Sequence, residues 1–413
     1  MDMKRILLMA ALAGMTLAAH AQQALGPGTG LISPEIHPDH SVTFRYVNPK
    51  AKTVQVTGDF LPTRPVEVDM GDRKMVYDAP GVADLKEGRD GVWSYTSAPL
   101  KGELYSYSFL VDGKKAMDPS NIYQNRDVAT WTNIFTLSAE EGDLGWYYQV
   151  NNVPHGTVSH VWYDSPTLSS YRRLTIYLPP GYEDSIDRYP VLYLLHGSGG
   201  DEDAWSDLGR TAQIMDNLIA QGYAKPMIVV MPNGNPTCNA APGWWHEGMY
   251  IPDGNAFNQR GAKATMEESF MDIVNYVDAH YKTIRKREGR AVTGLSMGGG
   301  HTFGISRLYP ETFDYYGLQS AACRMPREIM PNTPASRLNE DFDGQMKRLF
   351  DSKPKLYWIA IGKEDFLLQM NNELRTYLDN HHYPYEYYEN DGGHIWRNWR
   401  IYLTIFAQKI FRQ

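Results

Sequence analysis

The segment Ala291-Val-Thr-Gly-Leu-Ser-Met-Gly-Gly-Gly300 constrains this chain more than any other. Ala291 to Leu295 is an apolar run of strand length, and the residues from Gly299 onward have helical character. Gly294-Leu-Ser-Met-Gly298 therefore sits where a strand turns sharply into a helix. Such a turn presses backbone segments together, so a side chain at Gly294 or Gly298 would clash. The serine between them is held strained with its hydroxyl exposed, and the helix N-terminus behind it favours developing negative charge. Ser296 is the candidate nucleophile, and the fold must supply a strand that ends beside it.

The sequence around this turn has the pattern of a mostly parallel sheet covered by helices. Strands are expected at Arg173–Leu178, Val191–Leu195, Met227–Met231, Ala291–Leu295, Tyr315–Gln319, Leu356–Ile361 and Tyr385–Glu389. Several are almost wholly apolar, as strands covered on both faces must be. Helices are expected at Thr211–Gln221, Glu267–His280, Gly299–Tyr309 and Leu368–His381. This α/β region is placed at 158–413. Residues 28–140 differ: short β-like runs at Ser41–Val47, Thr53–Gly58, Val92–Ser97, Leu104–Val111 and Asn133–Leu137, separated by turn signals, predict a small all-β sandwich. Tyr105, Tyr107 and Phe109 alternate onto one face, and Asp112-Gly113 supplies a tight turn. A linker is expected at 141–157.

A serine hydroxyl needs a base, and folds with this turn order their catalytic groups serine, acid, histidine. After Ser296 the histidines are His301, His381, His382 and His394. His301 lies on the helix following the serine, and His381-His382 ends another helix. His394, in Asp391-Gly-Gly-His-Ile-Trp396, follows a strand and two glycines on a loop, and is the expected general base. The orienting acid is expected after the preceding strand, where Glu364 and Asp365 stand side by side; Asp365 is preferred, with Glu364 as its alternative. Asp391 is too near His394 and is read as shaping the turn. Two backbone N–H groups should bind the oxyanion, one from Met297 and one from the loop His196-Gly-Ser-Gly-Gly200, with Ser198 the first candidate and Gly197 its neighbour. His196 is read as scaffolding.

A net charge of −8, with no Lys/Arg cluster beyond the short mixed stretch 282–290, disfavours nucleic-acid binding. Lys4, Arg5, the apolar run Ile6 to Ala19 and Ala19-His20-Ala21 read as a signal peptide over 1–21, which predicts an exported protein, periplasmic or secreted. No later run of 18 apolar residues could span a bilayer. Cys238 and Cys323 are the only cysteines; in an oxidising compartment they are candidates for a disulfide, subject to their separation in space. The 28 Tyr and 10 Trp suit stacking on sugars or aryl groups, and equally suit aromatic-rich β structure.

Tyr177-Leu-Pro-Pro-Gly-Tyr182, Tyr189-Pro-Val-Leu-Tyr-Leu-Leu-His-Gly197, Gly294-Leu-Ser-Met-Gly-Gly299 and Gly392-Gly-His-Ile-Trp396 occur in this order. Together they resemble the esterase D-like α/β hydrolases, particularly feruloyl and acetyl-xylan esterases of carbohydrate esterase family 1, over residues 158–413. Glu87 to Pro119 resembles the immunoglobulin-like, early-set sandwich related to glycogen-binding domains. The resemblance implies an α/β-hydrolase fold and hydrolysis of esters on plant cell-wall polysaccharide through an acyl-serine, with no metal or cofactor. Its substrates would be feruloylated or acetylated xylan or arabinoxylan. Trp244 and Trp245 are candidates for walling an aryl pocket, and Cys238 and Cys323 for fastening a lid. Trp93, Tyr95, Tyr105, Tyr107 and Trp131 are candidates for a sugar platform, with a structural role favoured. Siderophore esterases share the resemblance and would require a basic pocket from Arg324, Arg327, Arg397 and Arg400. The non-enzymatic alternative is a carbohydrate-binding protein on an inactive hydrolase scaffold.

Overall fold

The computed structural model describes residues 30–69, 74–128, 130–245, 263–328 and 334–412. The expected signal peptide lies outside the described residues. The described residues fall into two compact units, those from 30 to 100 with 107–123 and those of 101–106 with 124–412, so the strand Glu103–Val111 contributes to both.

In the first unit, Val42–Val47 pairs with Glu35–Ile36 and Val92–Thr96, and Val54–Gly58 pairs with Gly81–Asp84 and with residues 107–111. Rings from the two sheets interlock. Phe44 packs against Tyr107 and Tyr46 against Phe109, each with centroids 4.9 Å apart, and Phe44, Tyr107 and Phe109 are buried. Trp93 is also buried, its indole N–H donating to the carbonyl of Asn48. These rings form an all-β core. Asp112 and Gly113 both adopt positive φ in the turn from Val111 to Lys114, as a two-residue hairpin requires.

The second unit is built on an eight-stranded sheet. Its strands are β1 (Thr157–Ser165), β2 (Ser170–Leu178), β3 (Val191–Leu195), β4 (Ile228–Pro232), β5 (Arg290–Leu295), β6 (Tyr315–Gln319), β7 (Leu356–Gly362) and β8 (Glu386–Asn390), in the order β1-β2-β4-β3-β5-β6-β7-β8. β2 is antiparallel to β1 and β4; every pair from β4 to β8 is parallel. Strands β3, β4, β6 and β7 are buried along their whole length and β5 from Ala291 onward, which explains their largely apolar sequences.

Helices α1 (Thr211–Ala220), α2 (Met266–His280), α3 (Met297–Leu308), α4 (Phe342–Asp351), α5 (Leu368–Asn380) and α6 (Trp396–Lys409) connect or follow the strands. Alternate side chains of each strand enter separate cores. Tyr193, Val292, Leu318 and Ile359 join Phe270, Phe303 and Leu374, whereas Leu192, Ala291 and Trp358 join Ile214, Leu218, Tyr402 and Phe406. Each fully buried aliphatic side chain contributes about 2 kcal/mol of transfer free energy. Thr265 starts α2 with a capping box, its hydroxyl accepting from the Glu268 N–H while the Glu268 carboxylate accepts from the Thr265 N–H.

Two segments differ from the sequence expectation. Residues 141–157, expected as a linker, contain the helix Leu144–Tyr148, capped by Asp143 and with Tyr147 and Tyr148 buried. The hairpin Gln124–Asp127/Thr130–Leu137, expected within the sandwich, belongs to the second unit. Short polar strands such as Gln124–Asp127 carry no periodic apolar signal.

Candidate active site

Ser296 links β5 to α3 with φ 52° and ψ −113°, a conformation costly for any residue with a Cβ. Three backbone hydrogen bonds hold it: its N–H donates to Gln319, and its carbonyl accepts from Gly300 and Ala322. The flanking glycines are steric necessities. A Cβ on Gly294 would lie 2.5 Å from the carbonyl carbon of Gly298, and one on Gly298 would lie 2.5 Å from the carbonyl oxygens of Leu195 and His196. β5 is thereby locked against the end of β3, with Ser296 half-buried at the edge where the parallel strands end.

Asp365 follows β7 and His394 follows β8 on that same edge. Nδ1 of His394 lies 3.0 and 2.9 Å from the two oxygens of Asp365. The Asp365 side chain is fully buried and that of His394 keeps 16% of its surface, so the acid is sealed while the imidazole stays reachable. Glu364 faces elsewhere. Its carboxylate accepts from the N–H of Gly392 and its N–H donates to the Gly392 carbonyl, which shapes the loop before His394. Asp391 pairs with Lys363 on the surface. Two further rings flank the imidazole and were not expected from the sequence: buried Trp399 at 4.9 Å and exposed Phe366 at 4.5 Å.

The loop after β3 lies against the serine, a Cβ on Gly197 falling 3.4 Å from the Ser296 Cβ. His196 is buried beneath this loop. Its Nε2 accepts the Gly234 N–H at 2.7 Å, so the proton resides on Nδ1, which donates to the Gly197 carbonyl at 2.7 Å. Burial pushes this imidazole down to about 4 from 6.5. Because the peptide is trans, holding the Gly197 carbonyl on His196 turns the Ser198 N–H to the opposite side. Arg126, from the 124–137 hairpin, forms an ion pair with buried Asp201, and Glu202 accepts from Arg173, Asn233 and the Ala241 N–H.

His301 is buried and engaged with Glu267 at 2.8 Å. Burial pushes the Glu267 carboxyl up, but the imidazole and its hydrogen bond outweigh this and hold it below the ordinary value. His381 is exposed, its Nδ1 2.8 Å from the Tyr377 carbonyl. Trp244 lies over the Arg173 guanidinium at 4.5 Å and Trp245 tilts against Trp162 at 5.8 Å, which gathers these rings at the β1–β2 end of the edge. The candidate disulfide is not formed: the Cys238 thiol donates to the Ala240 carbonyl, while Cys323 is buried in the core with its thiol toward the Met370 carbonyl. Each cysteine is committed to a different local packing environment. Among the described residues no cluster of three or more His, Cys, Asp or Glu is arranged to hold a metal ion.

Residues 165–408, more than half of the chain, match the family described as "Esterase: Putative esterase". The chain is 30% identical over 301 residues to an endo-1,4-beta-xylanase/feruloyl esterase of Xylanibacter ruminicola, covering 72% of this chain but only 37% of that relative's length. A solved ferulic acid esterase is 27% identical with a TM-score of 0.51, covering 62% of this chain and 99% of its own. The enterobactin esterase of Shigella flexneri, at 15% identity, shares the fold over 89% of this chain and 92% of its own, with a TM-score of 0.57. With Ser296, Asp365 and His394 all inside the matched residues of an α/β-hydrolase fold, the chain belongs to the esterase family.

Proposed function

We propose that the protein is a serine carboxylic-ester hydrolase, specifically a feruloyl esterase acting on feruloylated plant cell-wall polysaccharide. The observation that carries the reading is the His394 imidazole held on its Nδ1 side by the buried Asp365 carboxylate, on the same sheet edge as the strained Ser296. The relative and the solved structure named for feruloyl or ferulic acid esterase support the choice of acyl group.

In this reading Ser296 Oγ attacks the ester carbonyl carbon and its proton passes to Nε2 of His394. Asp365 fixes the tautomer and stabilises the imidazolium. The N–H groups of Met297 and Ser198 bind the oxyanion. Collapse breaks the bond to the alcohol oxygen, which takes the proton from Nε2 and leaves; water, deprotonated by the same nitrogen, then attacks the acyl-serine carbonyl, the bond to Ser296 Oγ breaks as that oxygen regains the proton from Nε2, and the acid is released. Export is part of the proposal, supported by the Lys4–Ala21 sequence. Among the described residues no helix is long and apolar enough to cross a membrane.

Of the four arginines that a siderophore ester would call on, Arg400 is buried and bound to Glu103 at 3.0 Å and to the carbonyls of Leu104 and Leu208, whereas Arg324 and Arg327 are exposed. Hydrolysis of methyl ferulate, 4-nitrophenyl acetate and acetylated xylan by the wild type and Ser296→Ala tests the proposal. Serine-dependent preference for ferulate supports it; acetate-only activity would make the protein a deacetylase.

A further inference from the structure

We propose that Phe366 and Ile395 form the subsite for the alcohol half of the ester, and that its occupant is a sugar ring. The inference rests on the esterase reading above and adds to it where the leaving group lies. Phe366 directly follows Asp365, is 71% exposed, and holds its ring centroid 4.5 Å from that of the His394 imidazole. Ile395 directly follows His394 and is 42% exposed. Phe366 thus presents an exposed apolar ring face directly beside the His394 imidazole.

The chemistry orients the substrate across this edge. The ester carbonyl oxygen must point to the loop after β3, where the Ser198 N–H lies. The alcohol oxygen must sit within hydrogen-bond reach, about 3 Å, of His394 Nε2, since it receives the proton there. β3 and β7 lie on opposite sides of β5, so the alcohol half extends toward the loops after β7 and β8. Trp399 and Asp365 already occupy two sides of the imidazole, and among the described residues Phe366 is an exposed ring against it. An aromatic face with water around it suits the C–H face of a pyranose or furanose, whose hydroxyls remain solvated.

Two esters sharing ferulate but differing in alcohol test this: methyl ferulate and a feruloylated arabinoxylan oligosaccharide. For Phe366→Ala, the ratio of kcat/KM for the sugar ester to that for the methyl ester should fall about tenfold, chiefly through KM, and Phe366→Tyr should restore it. Both esters pass through the same feruloyl-enzyme, so the deacylation rate measured by rapid quench should match the wild type. An unchanged ratio overturns the proposal. An equal fall on both esters with slowed deacylation overturns it too, and makes Phe366 a positioning residue for His394. Wild-type silence on both ferulates would instead overturn the feruloyl reading, and the same ratio would be read with methyl acetate and acetylated xylo-oligosaccharide.

Discussion

Nε2 of His196 accepts the N–H of Gly234, and its Nδ1–H in turn grips the carbonyl of Gly197, which shares a peptide unit with the Ser198 N–H. One buried imidazole thus ties the loop after β3 to the loop after β4 and sets the direction of the Ser198 N–H, the proposed second oxyanion donor. His196→Phe should lower kcat about 10²-fold, the usual loss when one oxyanion donor is displaced, with a much smaller change in KM. The check is steady-state kinetics beside inhibition by a trifluoromethyl ketone ferulate analogue. Inhibition weakened in step with kcat supports this; a change in KM alone would refute it.

His196 also carries a pH signature. Its folded pKa is depressed to about 4 by burial, from 6.5. The unfolded chain therefore binds a proton before the folded one does, and the contribution of His196 to stability is full above pH 6.5 and declines as pH falls toward 4. Urea unfolding at pH 7.5 and pH 5 should show a loss for the wild type that is smaller in His196→Phe; equal losses would count against it.

Asp365 and Glu364 should separate sharply. Asp365→Asn removes the charge facing Nδ1 of His394 and should lower kcat about 10⁴-fold. Glu364→Gln keeps an acceptor for the Gly392 N–H and should cost less than tenfold. Reversed magnitudes would make Glu364 the orienting acid.

Ser296→Ala should abolish measurable ester turnover while relieving backbone strain little, since Ala has the same Cβ at φ 52°. A fluorophosphonate probe should label the wild type and not the variant, and labelling of the variant would place the nucleophile elsewhere.

Arg126 should matter for stability beyond its place in the chain. Asp201 retains 4% of its side-chain surface and faces Arg126, so Arg126→Met leaves a buried carboxylate without its cation, at a cost of about 3 kcal/mol. Chemical denaturation measures this directly; a cost below about 1 kcal/mol would mean that water reaches Asp201.

Much of this protein is written locally. The apolar runs of β3 to β7 and the glycines around Ser296 declare strand, turn and helix, because burial on both faces and steric crowding at one turn act over a few residues. The serine, the loop histidine and the neighbouring carboxylates could be named for the same reason. What only the tertiary structure decided is direction and partnership. Glu364 and Asp365 are adjacent in sequence, yet one reaches Gly392 and the other His394. Cys238 and Cys323 are held in separate environments, and Arg126 reaches Asp201 across 75 positions. Phe366 owes its place against the imidazole to the meeting of the loops after β7 and β8. These outcomes depend on which loops the parallel strands bring together, and no local pattern of residues encodes that.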